Sequence, residues 1–112
     1  MIVILAKFTV EEAGLDRAKA LARTLAAETN KEAGCLQYAV ASDLSDACTL
    51  RLSEWWQDAE ALATHFATAH MAAFRQGLRR MHVEGLEIKR FEVSAIGDLD
   101  PGNPGSARIA RG

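Results

Sequence analysis

The sequence predicts an α+β fold: a four-stranded antiparallel sheet with helices on one face, in the split βαββαβ, ferredoxin-like order. Short β-rich segments stand at 2–9, 35–42, 48–55 and 86–93, and apolar residues at three- and four-residue spacing fill 11–33 and 59–82. Only a polar turn, DLSDA, separates the middle two β segments, which makes them a hairpin.

The first segment, IVILAKFT, is apolar at odd and even positions alike, so both faces of that strand need cover. In 11–33, Ala18, Leu21, Ala22, Leu25 and Ala26 form one stripe of an amphipathic helix, and Gly34 stands where a helix C′ residue is expected. Pairing Ser42 with Cys48 in the hairpin sets Leu36, Tyr38, Val40, Leu50, Leu52, Glu54 and Trp56 on one face. Gln37, Ala39, Thr49, Arg51 and Ser53 fall on the other. Asp58 is placed to cap a helix with the stripe Ala59, Leu62, Ala63 and Phe66, and Thr68 to cap a second, 69–82, with His70, Met71, Phe74, Leu78 and Met81. A change of helix direction at Ala67 and Thr68 explains why the two stripes do not share one wheel. Gly85 reads as a turn before the last strand.

At 112 residues, 49% hydrophobic and 25% charged, the chain has room for one domain, 1–96, followed by a Gly/Pro-rich arm, 97–112, expected without regular structure. The closing SARIARG is expected to rest on a partner subunit or across a pocket mouth. Helices cover only one sheet face, and the doubly apolar first strand needs a second layer, so a homodimer joined sheet to sheet is expected. With net charge −2 and interspersed signs there is no basic stripe for nucleic acid or an anionic membrane, and no run of ~20 apolar residues to span a bilayer. The N-terminus reads as a strand and not as a leader, so a cytoplasmic location is expected, with Cys35 and Cys48 as thiols.

The chemistry-bearing residues gather in SEWWQDAEALATHFATAHMAAF, residues 53–74. On the wheel His70 lies within roughly 40° of Phe74, on the inward stripe, and His65 flanks the preceding one. An inward imidazole among Phe66, Met71, Phe74, Trp56 and Tyr38 sits in an apolar cavity with few polar groups, the usual makeup of a small-molecule site. A helix-borne histidine is more often a packing or capping residue, and Trp56 serves equally well as an anchor for the strand-to-helix turn. Glu54 either finds a partner such as Arg75 or lines a wet pocket, because burying it alone is costly. A metal is not expected: an i,i+5 pair stands about 140° apart on a continuous helix, and no HxxxH or HExxH spacing is present. No phosphate-cradling Gly loop, nucleophile elbow or dinucleotide fingerprint occurs, which leaves flavin and nicotinamide sites unsupported.

EAGCLQYAV, an acidic turn and LSEWWQDAEALATHFATAHMAAF together resemble the antibiotic biosynthesis monooxygenase (ABM) domain family of the dimeric α/β-barrel superfamily. The matching positions are Gly34, Cys35 and Tyr38, then Glu54 and Trp56, then His65 and His70, within roughly residues 1 to 95. The resemblance implies a dimer of ferredoxin-like units and oxidation of a small phenolic or quinol-type substrate with O2, without metal, haem or flavin. Such chemistry needs a base, an oxyanion donor and an apolar chamber, because an electron-rich phenolate can hand an electron to dioxygen directly. Histidine, titrating near ~6.5 in model peptides, suits the base. His70 is the first candidate and His65 the second, with Trp56 and Tyr38 orienting the ring, Phe66, Met71 and Phe74 as walls, and Glu54 beside them. Haem-degrading relatives carry a histidine where this chain has Arg75 and an asparagine near Lys7, so haem oxygenation is not expected. The superfamily also holds proton-shuttling isomerases, and a non-catalytic dimeric small-molecule-binding protein is the third alternative.

Overall fold

A computed structural model describes residues 1–110. Strand β1 (Ile2–Val10) leads through a 3-10 turn to α1 (Leu15–Thr29), then to β2 (Cys35–Asp43), β3 (Asp46–Trp56), α2 (Ala59–Phe66), α3 (Ala69–Arg79) and β4 (Val83–Glu92). The sheet is antiparallel in the order β2-β3-β1-β4, the split βαβ arrangement expected from the periodicities. Alternation along β1 sends Ile2, Ile4, Phe8 and Val10 towards the helices, where they join Leu25, Leu50, Leu52, Trp56, Leu62 and Phe74 in the core. Leu5 and Phe91 are 45% exposed on the opposite face.

Both helix caps follow the sequence. Asp58 accepts from the backbone N–H of Ala61 at 2.8 Å, and Thr68 Oγ1 accepts from that of Met71 at 3.3 Å. Thr68 also donates to the carbonyl of His65 at 2.7 Å, fastening the end of α2 to the start of α3.

Several expectations are corrected. Ser42 lies opposite Leu50, not Cys48: the turn narrows to Leu44 and Ser45 between paired Asp43 and Asp46, but an irregularity between Ser42 and Asp43 leaves extra residues on the β3 side and shifts the pairing. A slip of two residues keeps every side chain on its face, so the face assignments hold except at Leu36. There an irregularity between Cys35 and Gln37 turns Leu36 outward, and it is exposed. Helix α1 stops at Thr29, four residues before the expected end, because Asn30 turns its side chain to the carbonyls of Ala26 and Tyr38. Helix α3 stops at Arg79, and Gly85 lies within β4 instead of before it. With φ +61, Gly85 absorbs a bulge where the pairing of β1 with β4 shifts between Lys7 and Thr9. The arm is not irregular: β5 (Ile96–Asp100) and β6 (Asn103–Ala110) form a separate two-stranded hairpin. Its turn, Asp-Pro-Gly-Asn, carries the residues a β-turn favours, and the Gly102 N–H bonds Asp100 Oδ1 at 2.9 Å. Arg111 and Gly112, the last residues of the expected arm, lie outside the described residues.

Candidate functional site

Between the sheet and helices α2 and α3 lies an apolar chamber of about 290 Å³. Phe8, Leu52, Phe66, Met71 and Phe74 supply apolar walls, while Tyr38, Glu54, His65 and Arg75 bring polar groups to it. Leu86 and Ile88 of β4 line it as well and are exposed, so the mouth lies at that edge of the sheet. A second hollow of about 350 Å³ runs along the outside, between α1 and α3, lined by Arg17, Leu21, Thr24, His70 and Phe74 among others.

The two histidines therefore separate. His65, 1% exposed, lines the chamber; His70, its side chain 19% exposed, lines the outer groove. Sequence periodicity put His70 on the inward stripe of α3; Met71, Phe74 and Leu78 of that stripe do line the chamber, whereas His70, at its edge, borders the groove against α1. The helix break at Ala67 nevertheless brings both rings to one carboxylate. Glu32 Oε2 meets His65 Nδ1 at 2.7 Å and His70 Nε2 at 2.8 Å. An ionised carboxylate can only accept, so each neutral ring donates the proton it holds on that nitrogen and keeps a lone pair on the other. Glu32 thus sets the tautomer of His65 as an aspartate does in a catalytic triad.

Glu32 is the residue sequence reasoning missed. It sits in the turn after α1, where the Glu32 N–H bonds the Thr29 carbonyl at 3.0 Å and the Cys35 N–H bonds the Glu32 carbonyl at 3.2 Å. Asn30 ties the same turn to both backbone groups of Tyr38, at 3.0 and 3.1 Å. Gly34, at φ +83, closes it against α2, where a Cβ would stand 2.6 Å from that of Ala61. The available signal was an acidic residue two positions before a glycine that needs positive φ.

Glu54 is buried, and its pairing with Arg75 does not occur. Instead Trp56 Nε1 donates to Glu54 Oε1 at 3.0 Å. Burial pushes the Glu54 carboxyl up to about 7 against the pull of that hydrogen bond, with Glu32 adding to the rise. Trp56 is fully buried and does not line the chamber: its N–H is spent on Glu54 and its ring stacks at 4.7 Å, centroid to centroid, from His65. Tyr38 lies 5.9 Å from the same imidazole, and burial, then the charges of Glu54, Cys35 and Glu32, raise its phenol far above the ordinary range. Tyr38 therefore keeps its phenolic proton, and its O–H is available as a donor.

Among the described residues, Glu32, His65 and His70 are also the one group of three metal-type donors, their ligand atoms all within 4.8 Å of one another. Ligands on a tetrahedral cation at ~2.1 Å stand about 3.4 Å apart. The separations of 2.7 and 2.8 Å are instead those of N–H···O bonds, and a cation would have to open them. Glu32 Oε1 is buried without a hydrogen-bond partner.

An α+β domain that packs its helices on one face of a four-stranded antiparallel sheet in this order has the ferredoxin-like fold. The chain is a member of the antibiotic biosynthesis monooxygenase family, whose model matches residues 1–77. It is similar in fold to a Deinococcus radiodurans protein provisionally named an antibiotic biosynthesis monooxygenase, at 24% identity and TM-score 0.84 over 89% of this chain and 99% of that one. A Bacteroides thetaiotaomicron protein of unknown function, suggested to be an oxidoreductase, is 29% identical with TM-score 0.76 over 82% of this chain and 96% of its own. A Pseudomonas aeruginosa protein is 28% identical with TM-score 0.75, covering 80% and 90%. No curated protein matches the chain. Among the described residues, no helix is long and apolar enough to cross a membrane.

Proposed function

We propose that this protein oxidises a small phenolic or quinol-type aromatic with O2, without metal, haem or flavin, and that His65 is the base. The observation behind this reading is the placement of His65 on the chamber wall with Nδ1 held by Glu32. The phenol enters among Phe66, Met71 and Phe74, gives its proton to His65 Nε2, and leaves an electron-rich phenolate in an apolar space. Dioxygen adds to a ring carbon as a hydroperoxide, and loss of water yields the quinone. One oxygen atom is inserted, the other leaves as water, and the four electrons given up by the ring are those that O2 accepts. Tyr38 donates its O–H to the oxyanion. The Glu54 carboxyl, poised near 7, returns a proton as the peroxide breaks. Glu32, which accepts from His65 Nδ1, stabilises the imidazolium that forms when His65 Nε2 takes the proton.

Oxygen uptake with a panel of naphthols and hydroquinones tests the reaction. No uptake, together with anaerobic exchange of substrate hydrogen for solvent deuterium, would move the assignment to proton-shuttling isomerisation, to which the pair Glu54 and His65 on one chamber is also suited. We further infer a homodimer joined through the face that carries Leu5 and Phe91, whose half exposure calls for cover. Light scattering at micromolar concentration that gave a monomer mass would overturn it.

A further inference from the structure

We propose that Arg75 is an anion subsite and that the preferred substrates are aromatic carboxylates, hydroxylated acids in preference to neutral phenols. Arg75 is half-buried and lines the chamber whose walls are otherwise mostly apolar. Its Nη2 donates to the carbonyl of Phe66 at 3.1 Å, near the C-terminal end of α2, where a cation is favoured. That bond fixes the guanidinium yet uses one of its five N–H donors. Among the described residues no carboxylate lies within ion-pair distance of it. Glu54, the one carboxylate on the chamber wall, is engaged by Trp56, and Arg75 is not among the groups that act on it.

A permanently charged, planar donor fork on an apolar wall is matched by a carboxylate, which accepts two parallel N–H bonds. An aryl carboxylate would place its acid on Arg75 and its ring against Phe74 and Met71, leaving its hydroxyl for Tyr38 and His65. The identity of the reacting hydroxyl rests on the proposed oxidation; the anion preference does not, and binding measures it alone.

The test is a matched pair, 1-naphthol and 1-hydroxy-2-naphthoate, titrated anaerobically by calorimetry into the full chain and into Arg75→Gln and Arg75→Lys. The wild type should bind the acid about tenfold or more tightly than the naphthol, the scale of one charge-assisted hydrogen bond. Arg75→Gln should abolish that preference while naphthol still binds, which reports a chamber that has kept its form, and Arg75→Lys should keep part of it. Equal affinity for the two ligands, a preference that survives Arg75→Gln, or failure of both to bind at millimolar concentration would each overturn the proposal. Oxygen uptake is read separately. A retained acid preference with no uptake refutes the oxidation alone, and uptake with naphthol but no acid preference refutes the subsite alone.

Discussion

Two hollows of similar size flank α3, and they differ in what converges on them. The inner chamber gathers a tyrosine, a glutamate, a histidine and an arginine from β2, β3, α2 and α3 around apolar walls; the outer groove has Arg17, Thr24 and His70 along two helices. The groove is the larger, at about 350 against 290 Å³, and yet its lining comes from two helices alone, with no strand behind it. Volume alone does not make a site. Enclosure by a second layer does, because it holds side chains from separate elements against one enclosed space.

The sharpest way to break this contrast is to remove each histidine in turn. His65→Ala should lower kcat/KM for phenol oxidation ~10²- to 10⁴-fold, the range for loss of a general base. His70→Ala should lower it less than about tenfold, because Glu32 still holds His65. Equal losses in stopped-flow assays would erase the distinction between the two hollows. Glu54 gives the next largest effect. Its carboxyl ionises near 4.5 in the unfolded chain and about 7 in the fold, so over that interval the folded state binds more protons and stability falls as pH rises, levelling off above about 7. Glu54→Gln should therefore be about 3 kcal/mol more stable relative to wild type at pH 8 than at pH 4, as read by urea denaturation. A pH-independent difference would show that the chamber is wet.

Gly34→Ala should cost about 2–3 kcal/mol, from a positive φ and from the clash with Ala61. It should also slow oxidation, since the same turn carries Glu32. The smallest effect is expected in the groove. Ala20→Leu, filling part of it, should change stability by no more than about 0.5 kcal/mol and leave kcat unchanged. A large fall in activity there would make the groove part of the reaction site.

The fold was legible because period-2 and period-3.6 patterns with good caps are local, and Asp58 and Thr68 act as caps as their sequence positions predict. The hairpin faces survived a two-residue register error, since parity, not register, fixes the face. The chamber walls Phe66, Met71 and Phe74 and the polar pair Tyr38 and Glu54 were likewise readable from their stripes. Three things were not. That His65 lines the chamber and His70 the outer groove depends on how α2 and α3 meet at Ala67 and Thr68, which no periodicity encodes. Glu32 sits outside every periodic segment, and its partners lie 33 and 38 residues away. That Trp56 spends its N–H on Glu54, and so serves as an anchor and not as a ligand donor, depends on side chains at i and i+2 of one strand being buried together.

The break at Thr68 also divides labour along the chain. Reagents that would handle protons, Tyr38, Glu54 and His65, come before it; of the residues that would meet an incoming molecule, Phe66 stands at the break and Met71, Phe74 and Arg75 come after it. Residues 69–79 form a cassette whose inward face can drift while the proton-handling groups stay fixed. Descendants of such a chain could change diet by altering one helix, and a library confined to 71, 74, 75 and 78 is the shortest laboratory route to the same end.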